Sequence, residues 1–175
     1  MTKADFESAV REHQGMVYSI ACNYFHNAAL AEEIAQDVFL QLYETRLSVE
    51  IGSHCVAWLR RTTVHRCIDT LRRSSFKNEV QVDVLPEVPV DIPETDPFLQ
   101  ERLRRLIASL PETPRAVLVL RFGEDMDAEE IGRTLQMPVR TVWSHLQRAT
   151  ALIREKARYL NESKETDDEP VRTRS

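Results

Sequence analysis

Apolar residues recur every three or four positions along most of this chain of 175 residues. That spacing places them on one side of an α-helix, which turns by about 100° per residue. Strand-like alternation is scarce, and the chain has only four glycines to interrupt long helices. The pattern therefore predicts an all-α fold.

The segment that begins at Asp127 has the pattern of a helix-turn-helix. Asp127 and Glu130 are spaced as an N-terminal capping box for a short helix. Pro138 then disfavours helical geometry at Met137 and fits the first turn of a second helix. Two short helices joined by a tight turn are therefore predicted here.

The second of these helices has an apolar face and an opposite face that forms hydrogen bonds. Val142 lies on the predicted buried side with Leu146 and Ala149. The polar side chains opposite them are Arg140, Ser144, Gln147 and Arg148. Two packed helices with an ordinary solvated face would show the same helical spacing of apolar and polar residues. Because the outer face has two arginines and no carboxylate, we favour contact with DNA bases.

Charge is distributed unevenly along the chain, whose net charge is −5. Residues 99–160 carry a net charge of +3, whereas residues 74–98, with four prolines and no helical period, carry −5. We therefore predict small helical domains at 1–74 and 99–160, joined by a flexible acidic linker at 75–98. The polar residues 161–175 are predicted to be a disordered tail.

The predicted helix from about Ser53 to Ser74 is also basic. Its stretch AWLRRTTVHRCIDTLRR contains five arginines and a single acidic residue, Asp69, beside Trp58 and His65. A solvated basic face would explain the charge alone. Arginine beside aromatic and hydroxyl side chains is also the combination that holds phosphates next to stacked bases, and nucleic-acid contact is favoured in a chain that has a helix-turn-helix.

These motifs together are similar to an extracytoplasmic function (group IV) sigma factor of the sigma-70 family. AEEIAQDVFLQLYE resembles the family's polymerase-binding helix, and AWLRRTTVHRCIDTLRR resembles the helix that opens and reads the minus-ten element. LPETPRAVLVLRFGEDMDAEEIGRTLQMPVRTVWSHLQRATALIREKA resembles its C-terminal domain. The resemblance implies that the chain binds core RNA polymerase and directs promoter-specific initiation, with a stress- or envelope-related regulon.

The resemblance also implies three sets of site residues. Those expected at the minus-thirty-five element are Arg140, Thr141, Trp143, Ser144, Gln147 and Arg148. Those expected at the minus-ten element are Trp58, Arg60, Arg61, Thr62, His65, Arg66, Arg72 and Arg73. Those expected to bind core polymerase are Glu33, Gln36, Asp37 and Gln41.

The partners that the resemblance implies are the coiled coil of the polymerase largest subunit, its flap, promoter DNA in duplex and single-stranded form, and an anti-sigma factor. The loop expected to hold a flipped base departs from the family pattern, because Val49–Ser53 has no aromatic residue. His65 also stands where the family has asparagine. The acidic linker is expected either to thread the polymerase channels or to act as a plain spacer.

Two other functions fit parts of the sequence. A stand-alone helix-turn-helix regulator would share the DNA-reading half and would not bind polymerase. A metal enzyme would need His54, Cys55, His65 and Cys67 as ligands, but their spacing does not match a zinc motif. With no phosphate-binding glycine loop and no nucleophile motif, we expect no enzyme activity, no cofactor and no metal.

The cellular location is predicted from two features. The three cysteines are odd in number and far apart, which indicates a reducing compartment. The chain has no signal-peptide pattern and no apolar run long enough to span a membrane. A cytoplasmic protein is therefore expected.

Overall fold

The computed structural model describes residues 2–45, 53–76 and 97–167 of the chain. Seven α-helices occupy those ranges: α1 (Lys3–Phe25), α2 (Ala28–Thr45), α3 (Ser53–Phe76), α4 (Pro97–Ala108), α5 (Glu112–Gly123), α6 (Ala128–Leu135) and α7 (Val139–Asp167). No strand occurs within the described ranges, which confirms the predicted all-α class. Residues 77–96 of the predicted linker and residues 49–52 of the predicted base-binding loop lie outside the described residues.

Side-chain caps fix where the first helices begin. Thr2 and Asp5 form a reciprocal capping box at the start of α1, in which the Asp5 amide donates to Thr2 Oγ1 at 3.2 Å. At the start of α2, Asn27 Oδ1 accepts a hydrogen bond from the Leu30 amide at 3.0 Å. Asn27 is therefore the N-cap of α2, and α1 and α2 are separated by two residues only.

Helices α1, α2 and α3 pack around one apolar interior and form the N-terminal lobe. Fully buried side chains come from all three helices, among them Ile20 of α1, Leu42 of α2 and Leu59 of α3. Cys67 of α3 is also fully buried, and burial raises the pKa of its thiol to about 12. A thiol in that environment stays protonated and behaves as a small apolar residue.

Helices α4 to α7 form the C-terminal lobe, which contains the predicted helix-turn-helix. The capping box of Asp127 and Glu130 is present at the start of α6, with the Glu130 amide 2.7 Å from Asp127 Oδ1. Gln136 ends α6 in the left-handed conformation, at a φ of 52°. The Met137 amide then donates to the Gly132 carbonyl at 2.9 Å, which closes the turn before α7.

Helix α7 is longer than the sequence predicted. It continues to Asp167, whereas the tail was expected to begin at residue 161, so that the predicted boundary was wrong by seven residues. The composition is polar, but Glu162, Lys164 and Glu165 are good helix formers. Extending an existing helix avoids the cost of nucleation, which is why these residues remain helical.

The two lobes pack directly against each other. A single cluster of buried residues extends from Val17 and Ile20 of α1 to Val117 and Leu120 of α5 and Ile131 of α6. Helices α1 and α3 both contact α5, and α3 also contacts α6. The lobes that the sequence predicted as separate small domains therefore share one apolar interior in this arrangement.

Arg115 of α5 occupies the centre of the contact between the lobes. Its side chain is only 4% exposed, and its guanidinium donates to the carbonyls of Ala108 and Leu110, the latter at 2.8 Å. The guanidinium carbon lies 5.2 Å from the centroid of the Tyr24 ring of α1. Tyr24 Oη in turn donates to the Glu112 carbonyl at 3.0 Å, so that one hydrogen bond joins the two lobes here. Arg115 Nε is buried with no hydrogen-bond partner among the described residues.

His26 lies beside this junction, at the left-handed end of α1. Its φ is 53°, and its Nε2 is buried with no hydrogen-bond partner among the described residues. Burial, together with the charges of Arg104 of α4 and Arg115 of α5, lowers the pKa of His26 to about 4, while Glu101 of α4 opposes the shift. The ring is therefore uncharged at neutral pH.

Two glycines are predicted to respond oppositely to substitution by alanine. A Cβ on Gly132 would lie 2.9 Å from the Met137 carbonyl oxygen, so that Gly132→Ala should destabilise the fold by about 1–3 kcal/mol. A Cβ on Gly15 would meet no atom within 4 Å, so that Gly15→Ala should stabilise by about 0.5–1 kcal/mol through helix propensity. Urea unfolding of both variants measures the difference, and equal effects would contradict the turn geometry.

The stability of the chain should fall on mild acidification because of His26. The proton binds His26 in the unfolded chain near pH 6.5 but in the folded chain only near pH 4, so that stability present above pH 6.5 is lost as the pH falls towards 4. His26→Asn keeps a residue that tolerates a positive φ and removes this titration. We expect the wild type to lose on the order of 1 kcal/mol more than this variant between pH 7.5 and 5, measured by urea unfolding. Parallel pH profiles would show that His26 does not contribute.

Candidate nucleic-acid interface

The outer face of α7 presents most of the side chains that the sequence assigned to duplex DNA. Exposed side chains on its first turns belong to Arg140, Trp143, Ser144, Gln147 and Arg148. Thr141 is half-buried, and Val142, Leu146 and Ala149 are buried against the rest of the lobe. The structure thus brings these six predicted residues together on one helix that begins just after the tight turn.

The polar atoms of this face differ in how free they are to bind a ligand. Ser144 Oγ donates to the Arg140 carbonyl at 3.0 Å, which leaves its oxygen to accept a hydrogen bond. Gln147 offers both a donor and an acceptor, and Arg148 offers a fork of donors. Trp143 is 53% exposed and therefore adds an apolar surface to the outer face.

A second polar surface lies along α3, where a cleft of about 510 Å³ opens between α2 and α3. Its lining residues are Gln41, Trp58, Arg61, Thr62, His65, Arg66 and Asp69. Trp58 packs on the core with part of its ring and faces the cleft with the rest. Five of the eight residues predicted to bind the minus-ten element thus come together in this cleft.

His65 is exposed on this surface next to Arg61. Partial burial lowers the pKa of His65, and the charge of Arg61 lowers it further, while Asp69 opposes the shift. At neutral pH the imidazole is therefore uncharged, with one nitrogen that donates and one that accepts. The imidazole can form hydrogen bonds with bases, and it does not add to the positive charge that the arginines give this surface.

The predicted polymerase-binding residues of α2 adjoin the same cleft. Arg66 Nη1 lies 3.9 Å from Asp37 Oδ2, and Arg66 Nη2 donates to Gln41 Oε1 at 3.4 Å. Glu33 and Gln36 are exposed farther around α2. Asp37 and Gln41 therefore also hold a predicted DNA-binding arginine in place.

Two other predicted DNA-binding arginines of α3 are turned towards the C-terminal lobe. Arg72 Nε donates to Glu112 Oε1 of α5 at 3.1 Å. A hydrogen bond from its own backbone amide and the Arg72 guanidinium hold the pKa of Glu112 below its ordinary value. Arg60 has a buried Nε with no hydrogen-bond partner among the described residues and lies close to Glu124. Burial raises the pKa of Glu124, whereas a hydrogen bond with Ser19 and the charge of Arg60 oppose that rise.

Sequence reasoning missed the residues that join the lobes. Arg115 lies within the apolar stretch of α5, and an arginine in such a stretch is a signal that it needs buried acceptors. Tyr24 is fully buried on α1, and nothing in the sequence indicates which group its hydroxyl would bind. Glu112 and Glu124 had no distinguishing pattern, because both stand at the ends of a helix where acidic residues are common.

The alternative metal site does not form from the described residues. His65 is exposed and Cys67 is buried, so the two side chains lie on different sides of α3. Within the described ranges, no three His, Cys, Asp or Glu side chains are grouped as metal ligands. None of the described helices is both long and apolar enough to cross a membrane.

Comparison with protein families gives two matches. The family model for sigma-70 region 2 matches residues 9–76, which contain most of α1 and all of α2 and α3. The family model for sigma-70 region 4 matches residues 100–153, which contain the helix-turn-helix. Together the two matches include most of the chain and fall on the two lobes.

Curated relatives match across both lobes. The chain is 27% identical over 172 residues to the ECF RNA polymerase sigma factor SigW of Bacillus subtilis, with 89% of this chain and 90% of the relative covered. It is 28% identical over 159 residues to the ECF RNA polymerase sigma factor SigE of Mycolicibacterium smegmatis. That match covers 86% of this chain and 60% of the relative's length.

Two solved structures share the arrangement of helices. The sigma factor RpoE in complex with the anti-sigma factor NepR, from Bartonella quintana, superposes with a TM-score of 0.70 at 17% identity, covering 86% of this chain and 95% of that one. CnrH in complex with the cytosolic domain of CnrY superposes with a TM-score of 0.62 at 18% identity, covering 90% of each chain. At these identities the likeness shows the fold.

Proposed function

The chain belongs to the sigma-70 family as an extracytoplasmic function sigma factor, and we propose that it binds bacterial core RNA polymerase and directs initiation at promoters that its two lobes recognise. The observation that carries this proposal is the outer face of α7. It is exposed and free of carboxylates, and it begins just after the turn of a helix-turn-helix in the segment that matches region 4.

In this proposal the C-terminal lobe places the start of α7 in the major groove of the minus-thirty-five element. Gln147 and Arg148 contact base edges, where Gln suits adenine and Arg suits guanine. Trp143 and Ser144 lie on the same exposed face and add an apolar contact and an acceptor. Arg140 and Thr141 contact the phosphates at the edge of the groove.

In this proposal the N-terminal lobe binds the unpaired DNA strand. The cleft of α3 combines Trp58, on which a base can stack, with Arg61 and Arg66, which can pair with phosphates. Thr62 and the uncharged His65 supply hydrogen bonds. Stacking and hydrogen bonds of this kind compensate the few kcal/mol that unstacking a base costs.

Full use of α3 requires the lobes to move apart. Arg72 pairs with Glu112, and Arg60 faces Glu124, so that each must exchange a carboxylate of the C-terminal lobe for DNA. The Arg72–Glu112 pair is exposed and worth about 0–1 kcal/mol, so that a phosphate can readily replace the carboxylate. The junction around Arg115 must open as well, and binding to polymerase and DNA supplies the free energy for that change.

We assign the exposed side of α2 to core polymerase, with contacts from Glu33, Gln36, Asp37 and Gln41, and the flap to the C-terminal lobe. Control by an anti-sigma factor is part of the proposal, because one structural neighbour, the sigma factor RpoE of Bartonella quintana, is bound to the anti-sigma factor NepR. The chain itself contributes binding and no chemistry. Polymerase and promoter DNA place its action in the cytoplasm.

Transcription from random genomic fragments by core polymerase and the purified chain tests the proposal. Wild-type protein should give transcripts from a defined set of promoters, and Arg148→Ala and Gln147→Ala should each lose about 1–3 kcal/mol of preference for the favoured base. Arg154→Ala is the matched control, because it removes the same charge from an exposed position farther along α7.

Unchanged promoter preference in both variants would exclude α7 as the recognition helix. Duplex DNA binding without binding to core polymerase would instead favour the stand-alone regulator. Equal loss in Arg154→Ala would show that the effect is general electrostatics, since phosphate contacts weaken binding at all sequences alike.

A charge reversal on α2 tests the polymerase-binding face. Glu33→Arg should weaken association with core polymerase by about tenfold or more, because it reverses a charge within the proposed contact. Glu33 is a better choice than Asp37, whose reversal would also repel Arg66 at 3.9 Å and disturb the DNA cleft. Association is measured by native gel or light scattering, with Glu155→Arg on α7 as the control. Equal affinity of the two variants would exclude this side of α2.

A further inference from the structure

Helix α7 continues beyond the segment that matches sigma-70 region 4. The match ends at residue 153, whereas the helix ends at Asp167, so that about 21 Å of helix follow the matched segment. Arg154 and Arg158 are exposed on this added part. Residues 159–167 hold three acidic residues and one basic residue, so that the excess of positive charge along α7 ends at Arg158.

The two arginines lie on the same side of α7 as residues assigned to DNA. Arg154 follows Gln147 by about two turns of the helix. Arg158 follows Arg140 by about five turns. All four side chains are exposed. The outer face therefore continues past the residues that were assigned to bases, over a total length of about 27 Å from Arg140 to Arg158.

Contacts with α4 hold the added part of α7 in place. Lys156 Nζ donates to the Ser109 carbonyl at 3.3 Å, and Arg102 of α4 donates to the Ala157 carbonyl at 3.4 Å. Lys156 and Ala157 are half-buried, and they lie in sequence between the two exposed arginines. The arginine side of the helix is thus held in a fixed position relative to the helix-turn-helix, which lowers the entropic cost of binding a ligand along its whole length.

The composition of this surface indicates a polyanion. Neither Arg154 nor Arg158 takes part in the ion pairs of the described residues. Glu155 is exposed about 100° around the helix from Arg154, so that a polyanion is attracted to the arginine side and repelled from the other. Among the described residues of α7, no large apolar side chain is exposed after Trp143. A protein partner would need apolar anchors, whereas DNA phosphates need charge alone.

The length of the outer face fits a helix that crosses the major groove of DNA. The groove is about 12 Å wide. Arg140 and Arg154 are about 21 Å apart along α7, with Gln147 midway between them. When Gln147 faces the bases, the two arginines lie at opposite borders of the groove. Arg158 is one turn farther along the helix, on the same border as Arg154.

We propose that Arg154 and Arg158 bind DNA phosphates at the far border of the minus-thirty-five groove, outside the bases that α7 reads. The assignment rests on the proposed function, because it takes the start of α7 as the part that contacts bases. The two arginines position the helix in the groove and carry no base preference, since phosphates are alike at all sequences. The stretch of DNA held by the C-terminal lobe is therefore longer than the stretch that it reads.

The salt dependence of duplex binding tests this assignment. The probe is a duplex that the full chain selects from a random-sequence pool. Each phosphate contact contributes about −0.9 to the slope of log K against log salt. The double variant Arg154→Gln/Arg158→Gln should therefore have a slope shallower by about 1.8 and bind about tenfold more weakly at low salt, with unchanged base preference.

Arg11→Gln is the matched control. It removes the same kind of charge from an exposed position on α1, in the other lobe, and should leave the slope unchanged. An equal change of slope per charge in this control would show that only the net charge of the chain matters, and the assignment would be wrong.

Neutral phosphates locate the contact on the DNA. A methylphosphonate removes the charge of a single phosphate, and the substitution is moved along each strand of the selected duplex. At the far border of the groove it should weaken binding of the wild type and leave binding of the double variant unchanged, because the lost partner is already absent. Equal responses of both proteins at every position would overturn the proposal.

The outcomes separate this assignment from the proposed function. If the double variant keeps the wild-type slope while Arg148→Ala still loses base preference, only the phosphate contact is wrong. If the wild type shows no base preference but the double variant has the shallower slope, the phosphate contact is supported and the proposed reading of bases by α7 is wrong. If the double variant binds duplex DNA normally but core polymerase more weakly, the surface belongs to polymerase and the assignment to DNA is wrong.

Discussion

The arrangement of the two lobes depends on the buried guanidinium of Arg115. A charge removed from water is costly unless its donors are satisfied, and here the carbonyls of Ala108 and Leu110 and the ring of Tyr24 surround it. The two carbonyls belong to the same lobe as Arg115, and its Nε has no hydrogen-bond partner among the described residues. The Tyr24 ring is the contact that α1 contributes to the guanidinium, and this contact exists only when the lobes are together. The apolar cluster from Val17 to Ile131 supplies the bulk of the attraction, and Arg115 fixes its geometry.

Local features of the chain could be predicted because they depend on neighbours in sequence. The caps at Asn27 and Asp127 follow from spacing of three residues, and the outer face of α7 follows from helical period. The packing of the lobes could not be predicted, since it depends on pairs such as Tyr24 and Glu112, 88 positions apart. The end of α7 was missed because a polar composition suggests disorder, whereas helix extension needs only good helix formers.

The proposed function gives the α3 helix two roles that compete for its arginines. Arg61, Thr62 and His65 face an open cleft, whereas Arg60 and Arg72 face carboxylates of the C-terminal lobe. Glu112 and Glu124 thus occupy positions where phosphates are expected in a complex with DNA. The charges that make α3 suitable for nucleic acid also make it a suitable surface for an acidic neighbour within the same chain.

The outer face and the anchorage of α7 belong to one uninterrupted helix. Its later turns are held by Lys156, which donates to the Ser109 carbonyl at 3.3 Å, and by Arg102, which donates to the Ala157 carbonyl at 3.4 Å. Inserting one residue between Arg148 and Lys156 would rotate the outer face by about 100° relative to these anchors. Inserting seven would return it to within about 20°. If this face reads promoters as proposed, point substitutions on it can change promoter preference during evolution, whereas small insertions and deletions within the helix would put its two ends out of phase.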